Sequence, residues 1–227
     1  MRILSINKVI EHNTLSISNI QESALSTQPN IAAFDYIIIN GGDGTIRRVV
    51  KILDTIKHNA SIILNPTGSF NVIAKLHRVP SLESVLQALS KGKTPTTQTQ
   101  NYYSLNEEMF LFSAGNMGDL QHIFLSETLR FGILEKGIMK YLLAVLFLLP
   151  VHLIMTPFML LSSRRFFVFT PASFISKFGS FYGKVEKPIT IDLENAYNLI
   201  ELDGDVVTVK ESVLEINVAG SVKIVNK

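Results

Sequence analysis

Residues 37–50, IIINGGDGTIRRVV, pass from an apolar β-branched run through three glycines into a helical pattern. Tyr36–Asn40 is short and apolar, as in a strand of a parallel sheet covered on both faces. Ile46, Val49, Val50, Leu53 and Ile56 then recur at helical spacing, which predicts an amphipathic helix over 45–58. A strand that turns straight into a helix leaves the first helical N–H groups unpaired. With the helix dipole they form a seat for an anion. Gly41, Gly42 and Gly44 would admit a ligand close to the backbone. Thr45 can cap the helix or meet a phosphate oxygen. Asp43 can face a ribose hydroxyl, a metal ion or a neighbouring N–H. A plain turn needing glycine at positive φ is the alternative; Asp-Gly-Thr at a strand end favours phosphate.

The pattern repeats downstream. SIILN (61–65) reads as a second buried strand, residues 69–76 can begin a helix, and SLESVLQALSKG (81–92) is a clear one. Ser81 suits its N-cap and Gly92 lies just past its end. Strand, helix, strand, helix at this spacing predicts βαβ units. NPTGSFN (65–71) places Gly68, Ser69 and Asn71 at the edge where GGDGT ends its own strand. In open α/β sheets that edge binds ligands. PTGS alone is an ordinary turn; its position one βα unit after GGDGT gives it meaning.

Composition bounds the rest. The chain of 227 residues is 47% hydrophobic and 18% charged, so it can bury a sizeable core. A net charge of +2, with no basic tract interleaved with aromatics, argues against nucleic acid. The absence of cysteine excludes disulfides and fits a reducing cytosol, and the first residues lack the apolar core of a signal peptide. His58, His77, His122 and His152 share no metal-ligand spacing.

Past Gly92 the chain changes to short strand-like runs: TPTTQTQNYYSL, MFLFSAG, RRFFVFT, KPITIDL, NLIELDG and VLEINVAG. The expected fold is therefore α/β, a parallel-sheet nucleotide-binding domain (1–98) followed by a mostly antiparallel β-sandwich domain (99–227), with a cleft between them. Residues 138–161 have Lys140 as their only formal charge. A spanning helix is opposed by Pro150 and Pro157. A buried helix plus a loop is the plain reading, and a bilayer-docking surface flanked by Lys136, Lys140, Arg164 and Arg165 is preferred.

GGDGT at 41–45 followed by P-x-G-S-x-N at 66–71 resembles the diacylglycerol kinase catalytic domain family, which includes bacterial lipid kinases, sphingosine kinases and ceramide kinases. Ala114-Gly115-Asn116-Met117-Gly118-Asp119, Tyr141-Leu142-Leu143 and LDGD at 202–205 continue the likeness over about residues 35–225. It implies ATP with Mg²⁺, carried by the nucleotide, with Asp43 as a candidate contact. Gly41, Gly42, Asp43, Gly44, Thr45, Gly68, Ser69 and Asn71 would form the ATP site. The β-rich domain would present a lipid hydroxyl, diacylglycerol by default. Asp205 stands where the family carries its catalytic glutamate, with Asp203 two residues before it; a hairpin turn is the plain reading of Asp-Gly. The resemblance also implies phospholipid biosynthesis by a cytoplasmic, peripherally membrane-associated enzyme, and a homodimer is compatible with it.

Three departures stand beside this. No Asn-Pro-x-Ser-Gly loop precedes the first quoted strand, so the N-terminal βα unit is absent or rebuilt. Arg47-Arg48 replace an Asn-Glu pair and oppose the dipole unless an anion meets them, such as ATP phosphate or an acidic headgroup. Asp205 is one methylene shorter than glutamate. A catalytically degenerate nucleotide- or lipid-binding homologue is thus a second reading, and a soluble-substrate kinase of the NAD kinase type a third.

Overall fold

The computed structural model describes residues 1–56, 58–116 and 160–227, with isolated positions 146, 154, 157 and 158. Met117, Gly118, Asp119, Tyr141–Leu143 and nearly all of the 138–161 stretch lie outside the described residues. Among the described residues no helix is long and apolar enough to cross a membrane.

The chain forms two compact units, Met1–Tyr102 with Ala219–Lys227, and Tyr103–Val218. The first begins with β1 (Arg2–Ile6) and β2 (Ser16–Ile20), then β3 (Tyr36–Gly41), α1 (Asp43–Asp54), β4 (Ser61–Pro66), α2 (Val72–Leu76) and α3 (Leu82–Ser90). Its strands lie in the order β2-β1-β3-β4, all parallel. All six residues of β3 are buried. Tyr36, Ile38 and Ile63 pack with Val85, Leu86 and Leu89 of α3. Strand alternation sends Ile37 and Ile39 to the opposite face, and α1 buries Ile46, Val49, Val50 and Leu53 while packing on β3. Cover on both faces is why the strand has no alternating polar positions.

The N-terminal unit is rebuilt rather than missing. β1 and β2 are parallel neighbours joined only by residues 7–15 with no helix between them, although parallel pairs usually take a crossover of a dozen or more residues. Two short 3₁₀ segments, Glu22–Thr27 and Ile31–Ala33, stand where a helix would return the chain to β3.

The second unit contains β6 (Glu108–Phe110), β7 (Ser113–Gly115), β8 (Phe167–Phe169), β9 (Lys177–Phe178), β10 (Phe181–Tyr182), β11 (Ile189–Asp192), β12 (Asn198–Leu202) and β13 (Asp205–Val209). Two longer strands, β5 (Thr97–Leu105) and β14 (Val213–Val225), each belong partly to one unit and partly to the other. A sheet ordered β13-β12-β7-β8-β10-β9 shares one core with β5, β6, β11 and the first half of β14. Most of its pairings are antiparallel; β8 with β10 is parallel.

The division therefore differs from a single cut after residue 98. Ala219–Lys227 returns to the first unit, where Ile224 pairs with Ile62 of β4. Gly220 makes this possible, because a β-carbon there would collide with the Tyr102 ring. The Tyr102 hydroxyl donates to Asp54 at the end of α1; burial, together with that carboxylate, pushes the phenol up to about 12.

Candidate active site

The edge formed by the carboxyl ends of β1, β3 and β4 is held by amides. Asn40 is buried and donates to the Ser5 hydroxyl (3.1 Å) and the Ile6 carbonyl (2.7 Å). Its own carbonyl accepts from Asn65 at 2.7 Å. Asn40 and Asn65 occupy paired positions on β3 and β4, as do Gly41 and Pro66. The two loops that follow are thus set side by side in register. The matching endings IIIN (37–40) and IILN (62–65), each closing an apolar run with asparagine, are the sequence signal for this polar bridge.

The glycines make room for protein rather than for positive φ. None of Gly41, Gly42, Gly44 and Gly68 is at positive φ. A β-carbon on Gly41 would lie 2.5 Å from Cβ of Thr45. One on Gly42 would lie 3.2 Å from Cα of Gly68, and one on Gly68 only 2.8 Å from Cα of Gly42. The GGDGT and PTGSFN loops meet backbone to backbone, a separation that only glycine at both positions permits.

Asp43 locks that contact. Its carboxylate accepts from the Val72 and Ile73 amides at 2.8 and 3.1 Å. It therefore satisfies two of the orphan donors that open α2, as a cap residue would, but from a distant part of the chain. Of its three possible partners the structure shows the neighbouring N–H. Asn71 is in the left-handed region (φ 49°), accepts from the Gly68 amide and returns a bond to the Gly68 carbonyl. Both residues brace loops. Thr45 accepts from Arg48 at 3.3 Å, and Ser69 is exposed on its loop.

The arginines also have roles within the protein. Arg48 grips Glu22 through two bonds of 2.6 and 3.3 Å, and Arg47 is buried at 6% exposure. Arg47 is thus not on the surface where a lipid headgroup would meet it. Glu22, which follows β2, is itself tied to Asn7 after β1, so the rebuilt N-terminus is fastened to α1.

What remains for a ligand is the start of α1. Gly42 is its N-cap, and no side chain caps it. The first-turn amides thus keep the anion-seeking character expected of them. A phosphate fits this seat. Among the described residues no three His, Cys, Asp or Glu are grouped to hold a metal ion.

In the second unit, LDGD closes a two-residue hairpin between β12 and β13, with Leu202 opposite Asp205. Asp203 and Gly204 have φ of 52° and 92°, the left-handed pair that such turns require. The turn reading holds, but Asp203 is not solvated. It is 5% exposed and accepts from the Leu111, Phe112 and Ser113 amides at 2.7, 2.9 and 3.0 Å. Beside it, buried Glu201 accepts from the Ser113 hydroxyl at 3.1 Å and from the Gly204 amide. Asp203 is therefore a structural carboxylate, while Asp205 is half-buried on β13. Asn116, just after β7, bonds the Arg164 carbonyl and the Phe166 amide.

Burial pushes Asp203 up to about 7, against three N–H donors that favour its anion, with Glu201 adding to the rise. Because the folded value lies above the ordinary 3.8, its contribution to stability is complete below about 3.8 and is lost as pH rises through about 7. In a ¹³C NMR titration the Asp203 carboxyl signal should turn over near pH 7. A midpoint at or below 3.8 would mean that the amides outweigh burial.

A parallel sheet whose strand tips carry GGDGT and PTGSFN, with an uncapped helix start between them, defines a kinase-type nucleotide-binding domain. Residues 6–101 match the diacylglycerol kinase catalytic domain model. A diacylglycerol kinase from Bacillus anthracis str. Sterne has a similar fold, with TM-score 0.56, 13% identity and coverage of 100% of this chain and 96% of that one. A second structure from that organism, provisionally assigned as a diacylglycerol kinase, gives TM-score 0.53, 10% identity and coverage of 100% and 97%. A third gives 17% identity at TM-score 0.40, over 51% of this chain and 46% of that one. No curated protein matches the chain.

Proposed function

We propose that this protein is a lipid kinase that transfers the γ-phosphate of ATP to a lipid hydroxyl, with diacylglycerol as the default substrate. The observation that carries the reading is the uncapped start of α1 beside the loop that Asp43 braces, within a domain that matches a kinase family. Phosphoryl transfer asks mainly for positioning and charge stabilisation. The α1 amides and Ser69 would hold the phosphates, and magnesium would arrive with the nucleotide. The substrate oxygen forms a bond to the γ-phosphorus as the bond to the β–γ bridging oxygen breaks and ADP leaves. The hydroxyl proton passes to a carboxylate. Asp203 accepts from three amides, and the resemblance puts the family's carboxylate at Asp205, to which we assign that role.

Asp205→Asn should lower transfer of labelled γ-phosphate to diacylglycerol in mixed vesicles by about 10²- to 10⁴-fold, while the protein still folds. Asp205→Glu, which restores the longer side chain, should keep turnover. Full activity in Asp205→Asn would refute the assignment. A wild-type protein that binds ATP and turns over no lipid would instead be the non-catalytic homologue, a reading favoured by the Arg48–Glu22 pair at the rebuilt N-terminus.

A further inference from the structure

We infer that the β9–β10 hairpin and the chain that reaches it are a docking surface for an anionic bilayer. Four large apolar side chains project there into solvent: Phe174 (86% exposed), Leu161 (84%), Phe158 (69%) and Phe178 (66%). They come from two segments that are fastened together. The Ser180 amide donates to the Leu160 carbonyl at 2.8 Å, and its hydroxyl bonds the carbonyls of Leu160 and Ser162. Gly179, at φ 57°, packs so tightly on the Leu160 carbonyl that a β-carbon would collide with it. Phe178 and Leu161 therefore project from one braced corner, Leu161 next to the bonded Leu160 and Phe178 two residues before the bonded Ser180. The Ile175 amide closes a turn onto Ala172, which carries Phe174 on the same approach.

The charge around this corner is one-sided. Residues 158–187 hold Arg164, Arg165, Lys177, Lys184 and Lys187 against a single acid, Glu186, in a chain of net charge +2. Arg164 pairs with Glu194 and Lys184 with Glu186, whereas Lys177 lies 4.9 Å from the centre of the Tyr182 ring. Aromatic and aliphatic tips among cations suit the boundary between acyl chains and anionic headgroups. A partner strand suits the corner poorly, since the edge strand β9 is two residues long and begins with an exposed lysine. The surface deepens the lipid-kinase reading and rests on it for its purpose. Binding to vesicles without nucleotide or diacylglycerol is nonetheless read independently of phosphoryl transfer.

The test is co-sedimentation of the full chain with vesicles of equal parts phosphatidylcholine and phosphatidylserine. The wild type should pellet with them, less so with pure phosphatidylcholine or in high salt. Leu161→Ser with Phe174→Ser and Phe178→Ser should reduce partitioning about tenfold or more. All three positions are exposed, so circular dichroism should be unchanged. Lys177→Glu should weaken binding to the anionic vesicles alone. Equal pelleting of the triple variant, or no pelleting of the wild type, overturns the inference. So does a wild-type dimer in analytical ultracentrifugation that the triple variant abolishes, since the corner would then be a contact between copies.

Discussion

Asp203→Ala will unfold the second unit under conditions in which the native protein is stable. The carboxylate takes three consecutive amides, from Leu111, Phe112 and Ser113, none of which has water to turn to once the side chain is removed. A buried donor left unmet costs about 1–3 kcal/mol, and more when its acceptor was charged. Three together approach the whole stability of an ordinary domain, about 5–15 kcal/mol. The loss lies where the chain leaves β6 for β7, next to core residues Phe110 and Ala114. Urea unfolding should show an unfolding free energy lowered by several kcal/mol, or no cooperative transition for this unit. Asp203→Asn, keeping one acceptor, should fall in between. A near-native midpoint for the alanine variant would mean that the 111–113 segment finds other partners and that Asp203 is available for chemistry after all. Asp205→Asn, by contrast, leaves the hairpin and this triad of bonds in place.

The contrast between these two aspartates shows what a sequence can and cannot carry. LDGD announces a turn whatever its side chains face, because Asp-Gly supplies the two left-handed residues in either case. Only tertiary structure decides that the first carboxylate turns inward to stranded amides while the second stays half-buried on β13. The βα half was legible because its signals are local. Uninterrupted apolar runs made β3 and β4, and the Ser81 cap and Gly92 beyond α3 fell where expected; Ser81 accepts from Ser84 and Gly92 has φ 72°. β2 was hidden because it is an edge strand with no fully buried residue. The return of the chain at Ala219 was hidden because Gly220 reads as punctuation, whereas it sits within β14 and clears the Tyr102 ring. At the glycine turn, the neighbourhood of GGDGT and PTGSFN could be read from order and spacing. That the two loops press on each other could not.

Asp43→Ala distinguishes a brace from a ligand, because the two roles predict losses in different states of the protein. As a brace, Asp43 satisfies the amides of Val72 and Ile73 with no nucleotide present. Its removal should then lower the stability of the ligand-free protein by about 2–4 kcal/mol, the cost of one buried and one half-buried donor and a lost cap. Backbone exchange at Val72–Leu76 should rise with it, since a five-residue helix has little stability of its own. Nucleotide affinity would fall as a consequence, through loosening of the contact between Gly42 and Gly68. As a ligand to ribose or metal, Asp43 would leave ligand-free stability and exchange unchanged and affect only nucleotide binding. Asp43→Asn sharpens the comparison. Its amide can present an oxygen to one of the two N–H groups but sets a donor against the other, so a brace is damaged nearly as much by asparagine as by alanine. A ribose hydroxyl, able to donate or accept, would tolerate the change. Hydrogen exchange and thermal unfolding of the two variants without ATP therefore settle which role the aspartate between the glycines plays.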